Sequence, residues 1–148
     1  MPEMKNLLFP TDLSDDSFAA WPHAVALAQK LGAKIHAVTV VEEPYALAPY
    51  EQYGVLLHAM RDVIPQIEQR LRERVKDHPA GVAVSTTVVE ALSPAGALLD
   101  YAKKNAIDLI VVATHGRDAI AQVLLGSVAE KLIRSASVPV LTVRPHGR

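Results

Sequence analysis

Two stretches of the chain carry side chains whose types and spacing suit chemistry on a small ligand. The first is Pro10-Thr11-Asp12-Leu13-Ser14, directly after a short apolar run. Asp12 can accept hydrogen bonds from a ribose hydroxyl or a base amine. It can equally do no more than cap a helix that starts near Ser14. The second stretch is Ala113-Thr114-His115-Gly116-Arg117, followed further on by Leu125-Gly126-Ser127-Val128-Ala129-Glu130. Gly116 lets the backbone turn sharply and approach a ligand closely. Gly126 and Ser127 open a helix whose first amides, at Val128 and Ala129, point outward, which is a ready anion site. Arg117 adds a cation. Gly116 alone is explained by a turn, and Ser127 with Glu130 by a capping box. Their joint placement, one glycine just past a strand and the other opening a helix, points to phosphate binding. A side chain at Gly126 is expected to crowd the phosphate path with little cost to the fold.

Other chemistries are poorly served. The chain has no cysteine, so thiolate metal sites, thiol nucleophiles and disulfide frameworks are all excluded. Its histidines, at 23, 36, 58, 78, 115 and 146, form no H-E-x-x-H pair or close metal spacing. His36 falls in a strand and is read as a packed residue. His115, beside a turn glycine, is expected to bond locally. Ser127 lacks the G-x-S-x-G elbow of a hydrolase. The loop after Phe9 has neither G-x-G-x-x-G nor the G-K-[ST] ending of a P-loop. Val88-Val89-Glu90-Ala91 lacks the acceptor Asp of a phosphoacceptor domain. No catalytic residue and no metal ligand is assigned. Slow ATP hydrolysis through bound water and a metal ion is the most that is expected.

Lys and Arg number 15 against 16 Asp and Glu, for a net charge of −1, so bulk electrostatics do not suit a nucleic-acid partner. No apolar run approaches the ~18 residues of a membrane span. The opening M-P-E-M-K-N lacks the apolar stretch and cleavage site of a signal peptide. A cytoplasmic protein without a membrane partner is expected. At 148 residues, half of them hydrophobic, the chain has the length of one folded domain.

The elements that must position these loops follow from hydrophobic period. Strands are expected at Leu7–Phe9, Ile35–Val41, Val82–Val89, Ile107–Ala113 and Val138–Val143. A helix is expected from the caps at Asp12 and Ser14 to the stop at Gly32, bent by Pro22. A second is expected from Leu56 to Val75, kinked at Pro65, after a turn-rich loop over 42–55. A third starts at Ser93-Pro94, with Ser as N-cap and Pro at the first position. A fourth covers Ser127–Ala136. Five strands alternating with helices imply an α/β fold, an open and mostly parallel sheet with helices on both faces. In such sheets ligands bind beyond the carboxyl ends of the strands.

These motifs together resemble the universal stress protein family, over nearly the whole chain. The family opens with a strand and Pro-[TV]-D-x-S, as in Pro10-Thr11-Asp12-Leu13-Ser14, and its second strand ends in Val near Glu, as in Val40-Val41-Glu42. Its signature G-x2-G-x9-G-[ST] leads to a Val-Pro-Val-Leu strand, matched here by Gly116, Gly126-Ser127 and Val138-Pro139-Val140-Leu141. The resemblance implies one Rossmann-like domain over 1–148, in strand order 3-2-1-4-5, that forms dimers. It implies binding of ATP, ADP or AMP, with Mg²⁺ as the accompanying ion. Pro10, Thr11, Asp12 and Val41 would meet adenine and ribose, and Gly116, Gly126, Ser127, Val128 and Ala129 the phosphates; Ala113, His115 and Arg117, on the same loop, are counted with the binding residues. One position departs from the signature. Its first glycine is Ala113 here, whose methyl would stand where backbone nears the ligand, strained if φ must be positive. Two functions therefore stand side by side. One is an adenine-nucleotide-binding regulatory stress-response module. The other is a nucleotide-independent dimeric interaction protein of the same fold. In the implied order Val138–Val143 is an apolar sheet edge, which favours a homodimer through that strand.

Overall fold

The computed structural model describes residues 2–43, 49–115 and 125–145; Gly116 and Arg117 lie outside them. The elements in chain order are β1 (Asn6–Pro10), α1 (Asp15–Phe18), α2 (Trp21–Leu31), β2 (Lys34–Glu42), a short 3-10 turn (Tyr50–Gln52), α3 (Tyr53–Val75), β3 (Val84–Ala91), α4 (Pro94–Lys104), β4 (Leu109–Ala113), α5 (Ser127–Ser135) and β5 (Val140–Val143). The sheet runs β3-β2-β1-β4-β5 with every pairing parallel.

Alternation along the strands divides the core in two. Leu7, Phe9, Ile35, Ala37, Leu109 and Val111 pack on one side with Trp21 and Ala24 of α2 and Leu71 and Val75 of α3. Leu8, Val38, Ile110 and Val112 pack on the other with Leu98 of α4 and Ala129 and Leu132 of α5. The central strands β1 and β4 are covered on both faces, which is why they read as unbroken apolar runs.

The expected first helix is two helices. Ser14 caps α1, its side chain accepting from the Ser17 amide. The Ala19 and Ala20 amides then bond the carbonyls three residues back, of Asp16 and Ser17, and the turn tightens and ends. A new helix starts at Trp21 with Pro22 in its first turn, where a missing N–H removes no intrahelical bond. Pro22 therefore sits at a helix start and bends nothing. Gly32 closes α2 at φ +66°, the left-handed stop expected of it. α3 begins at Tyr53, earlier than the periodicity suggests, and continues through Pro65 as one helix. β3, β4 and β5 each begin two residues later than expected, at Val84, Leu109 and Val140. Before β5, the Pro139 carbonyl already accepts from the Ile110 amide at 3.0 Å.

Candidate functional site

The turn after β1 is built from its own polar side chains. The Thr11 amide continues the β1–β2 ladder to the Val38 carbonyl at 3.0 Å. Thr11 Oγ1 accepts from the Leu13 amide at 3.0 Å and shares a hydrogen bond with Ser17 Oγ at 2.7 Å. Asp12 Oδ1 accepts from the Ser14 amide at 3.0 Å and from the Ser14 hydroxyl. Asp12 thus shapes the turn that places the α1 cap, while Ser14 is the cap itself. Leu13 sits at φ +69°, a conformation that leucine rarely adopts, with its side chain buried.

At the end of β4, Ala113 is a strand residue in register with Val143, and the next amide, of Thr114, bonds the Val143 carbonyl at 2.9 Å. Ala113 is not among the positive-φ residues. Its side chain belongs to the core cluster of Phe9 and Val111. The strain expected of a positive φ is therefore absent: Ala113 keeps a strand backbone with its side chain buried. His115 is buried, and its Nδ1 lies 2.9 Å from Thr114 Oγ1, the local bond expected of it.

Gly126 donates its amide to the Thr114 carbonyl. Its φ is −68°, so no left-handed turn demands a glycine here. Close approach does: a Cβ at this position would lie 2.8 Å from the Thr114 carbonyl oxygen. A larger residue at Gly126 must therefore disturb the backbone as well as any ligand, contrary to the expectation that the fold would be spared. Gly126 is also the N-cap of α5 and, having no side chain, makes no capping bond of its own. The expected capping box is absent because Ser127 is already the first helical residue. Glu130 instead pairs with Arg134 at 3.0 Å. The first intrahelical bond runs from the Glu130 amide to the Gly126 carbonyl at 2.9 Å. The amides of Ser127, Val128 and Ala129 precede it, at the positive end of the helix.

These pieces meet in one cleft of about 920 Å³ at the carboxyl ends of the strands. Pro10, Thr11 and Asp12 line it from β1 and its turn, Val41 from β2, Ala113 and His115 from β4, and Gly126 through Ala129 from α5. Among the described residues every position picked out in the sequence faces this one space. The cleft also has walls that the sequence did not announce. Gln66 and Arg70 line it from α3, Ser93 from the cap of α4, and Lys131 from α5. Thr39 of β2 lines it too, 4% exposed, and its Oγ1 has no hydrogen-bond partner among the described residues. A single hydroxyl in the run Ala37-Val38-Thr39-Val40-Val41 was the available signal. Among the described residues no group of three His, Asp or Glu could hold a metal ion, and no helix is long and apolar enough to cross a membrane. The arrangement offers amide donors at one end, a carboxylate-bearing turn in the middle and an unsatisfied hydroxyl at the other.

The profile of the universal stress protein family matches residues 3–144. Universal stress protein MJ0531 of Methanocaldococcus jannaschii is 34% identical over 143 residues, covering 95% of this chain and 82% of that protein. The structure of universal stress protein UspA from Lactobacillus plantarum superposes with a TM-score of 0.84 at 28% identity, covering 97% of this chain and all of that one. A universal stress protein solved in complex with cAMP superposes with a TM-score of 0.66 at 27% identity, covering 97% of this chain and 98% of that one.

Proposed function

This chain belongs to the universal stress protein family, and we propose that it is an adenine-nucleotide-binding regulatory module that works as a homodimer. The observation that carries the proposal is the convergence of the β1 turn, the β4 end and the α5 amides on one cleft. Its volume falls within the range of small-molecule sites, ~300–1,000 Å³. In this reading the phosphates lie against the amides of Ser127, Val128 and Ala129, where the helix dipole favours negative charge. Gly126 permits the approach. Adenine and ribose lie against Pro10, Thr11, Asp12 and Val41. The chemistry fits ATP or AMP. With no trio of metal-ligating side chains among the described residues, Mg²⁺ would be held mainly by phosphate oxygens and water. The relative solved with cAMP supports an adenine nucleotide as the class of ligand.

Calorimetry with ATP and with AMP, each with Mg²⁺, tests the proposal, alongside chromatography of nucleotide released from denatured protein. Saturable heat with either nucleotide is the expected result. Absence of heat with both, and of any released nucleotide, would replace it with the nucleotide-independent interaction protein.

A further inference from the structure

We propose that the Thr39 hydroxyl is a ligand-binding group that reads the base end of the nucleotide. Two threonines stand at the same level on neighbouring strands, since β1 and β2 run in register with Pro10 opposite Val38. Thr11 Oγ1 is fully engaged by Ser17 and the Leu13 amide. Thr39 Oγ1 is as deeply buried and has no partner among the described residues. A buried hydroxyl left without a partner is costly, and its retention calls for a partner supplied from elsewhere. The residue lines the cleft, so a bound molecule can supply that partner. A valine would fill the same volume without the cost.

The position within the sheet says which part of the ligand arrives there. The amides of α5 and the close approach at Gly126 lie beyond β4, and β2 is two strands away across β1. With neighbouring strands about 4.8 Å apart, Thr39 stands roughly 10 Å from the β4 side. That separation suits the reach from a 5′-phosphate to the far edge of a purine. Gln66 and Arg70 of α3 line the cleft as well and supply further polar groups. A hydroxyl both donates and accepts, so it can serve a ring nitrogen or an exocyclic amine.

This inference rests on the nucleotide reading, and one experiment separates their failures. Calorimetry is run with AMP and with ATP on the native protein, Thr39→Val and Thr39→Ser, with urea unfolding of each ligand-free protein. Thr39→Val is expected to weaken AMP and ATP by the same factor, about 3- to 10-fold, with Thr39→Ser retaining most of the affinity. Ligand-free Thr39→Val is expected to be at least as stable as the native protein. Unchanged affinities in Thr39→Val overturn the inference alone. A loss confined to ATP would put Thr39 on the phosphates and overturn it too. A ligand-free Thr39→Val less stable than native would mean that the hydroxyl is already satisfied, and would likewise overturn the inference. A native protein that binds neither nucleotide removes both the reading and the inference.

Discussion

Arg74 of α3 donates from Nη1 to the carbonyl of Leu13 at 3.2 Å, holding from outside a residue whose φ is +69°. The same guanidinium lies 4.0 Å from the centre of the Phe18 ring and 3.2 Å from Asp15 Oδ1. One side chain thereby fastens the β1 turn and α1 to the helix that forms another wall of the cleft. Non-glycine residues in such conformations cost about 1–3 kcal/mol and persist where surroundings over-determine them. Here the Thr11 hydroxyl holds the amide of Leu13 and Arg74 holds its carbonyl.

Replacing Arg74 by Met keeps the stem and removes the donors. The loss of a hydrogen bond and a cation over an aromatic face should cost about 1–2 kcal/mol in urea unfolding. The exposed pair with Asp15 adds little. An unchanged midpoint would mean that the turn holds itself.

Ala113→Gly tests whether the departure from the family signature matters. With Ala113 extended and packed in the core, glycine should lower stability by about 0.5–1 kcal/mol. Nucleotide affinity should stay the same. Tighter binding at unchanged stability would contradict an unstrained backbone at this position.

His36 gives the protein a dependence on acid. Its Nδ1 lies 2.8 Å from the Tyr101 hydroxyl and its Nε2 3.0 Å from Asn6 Oδ1. Asn6 Oδ1 can only accept, so Nε2 carries the proton and Nδ1 accepts from Tyr101. Burial, and secondarily the charge of Lys34, lower its pKa below the ordinary 6.5. The unfolded chain therefore takes up a proton near pH 6.5 that the folded chain still refuses. This contribution is fully present above pH 6.5 and is lost as pH falls below it, until the folded form also protonates. Urea unfolding at pH 7.5 and 5.5 should show the native protein losing more stability than His36→Gln. Equal losses would mean that His36 contributes nothing to the acid dependence.

β5 ends the sheet, and Leu141 on it is 39% exposed. An apolar edge strand invites pairing, and a two-fold axis would set it against its own copy. Light scattering at micromolar concentration should give a dimer mass, and Leu141→Lys should shift it toward monomer. A native monomer, or a dimer indifferent to the lysine, would move the interface or remove it.

The architecture was legible where burial leaves one pattern in the residues. β1 and β4, covered on both faces, are continuous apolar runs, and Ser93-Pro94 marks the start of α4, where Ser93 Oγ accepts from the Gly96 amide at 3.2 Å. The division of α1 from α2 was not legible. Ala19 and Ala20 are good helix formers, and what ends the helix is a tightening of its own backbone bonds. Pro22 reads as an interior kink until that end is known. The site residues were found because they follow strands or open a helix. Their roles were harder, since Gly126 is needed for a neighbour's carbonyl rather than for its dihedral angles, and the side to which Ala113 turns depends on the register of the sheet. Thr39 lay hidden because nothing in a sequence tells an unsatisfied hydroxyl from a satisfied one.

The bond between the Gly126 amide and the Thr114 carbonyl has an architectural consequence. It ties the end of β4 to the residue that precedes the first turn of α5, so strand and helix are joined through space as well as along the chain. Loop-closure entropy changes by only about 0.6 kcal/mol for each doubling of loop length, so such a bond depends little on how far apart in sequence its partners stand. The bond therefore fixes where α5 starts relative to β4. The amide end of α5 is thus placed against the sheet by a bond between backbone groups, whose demand on the sequence is a residue without a Cβ at 126.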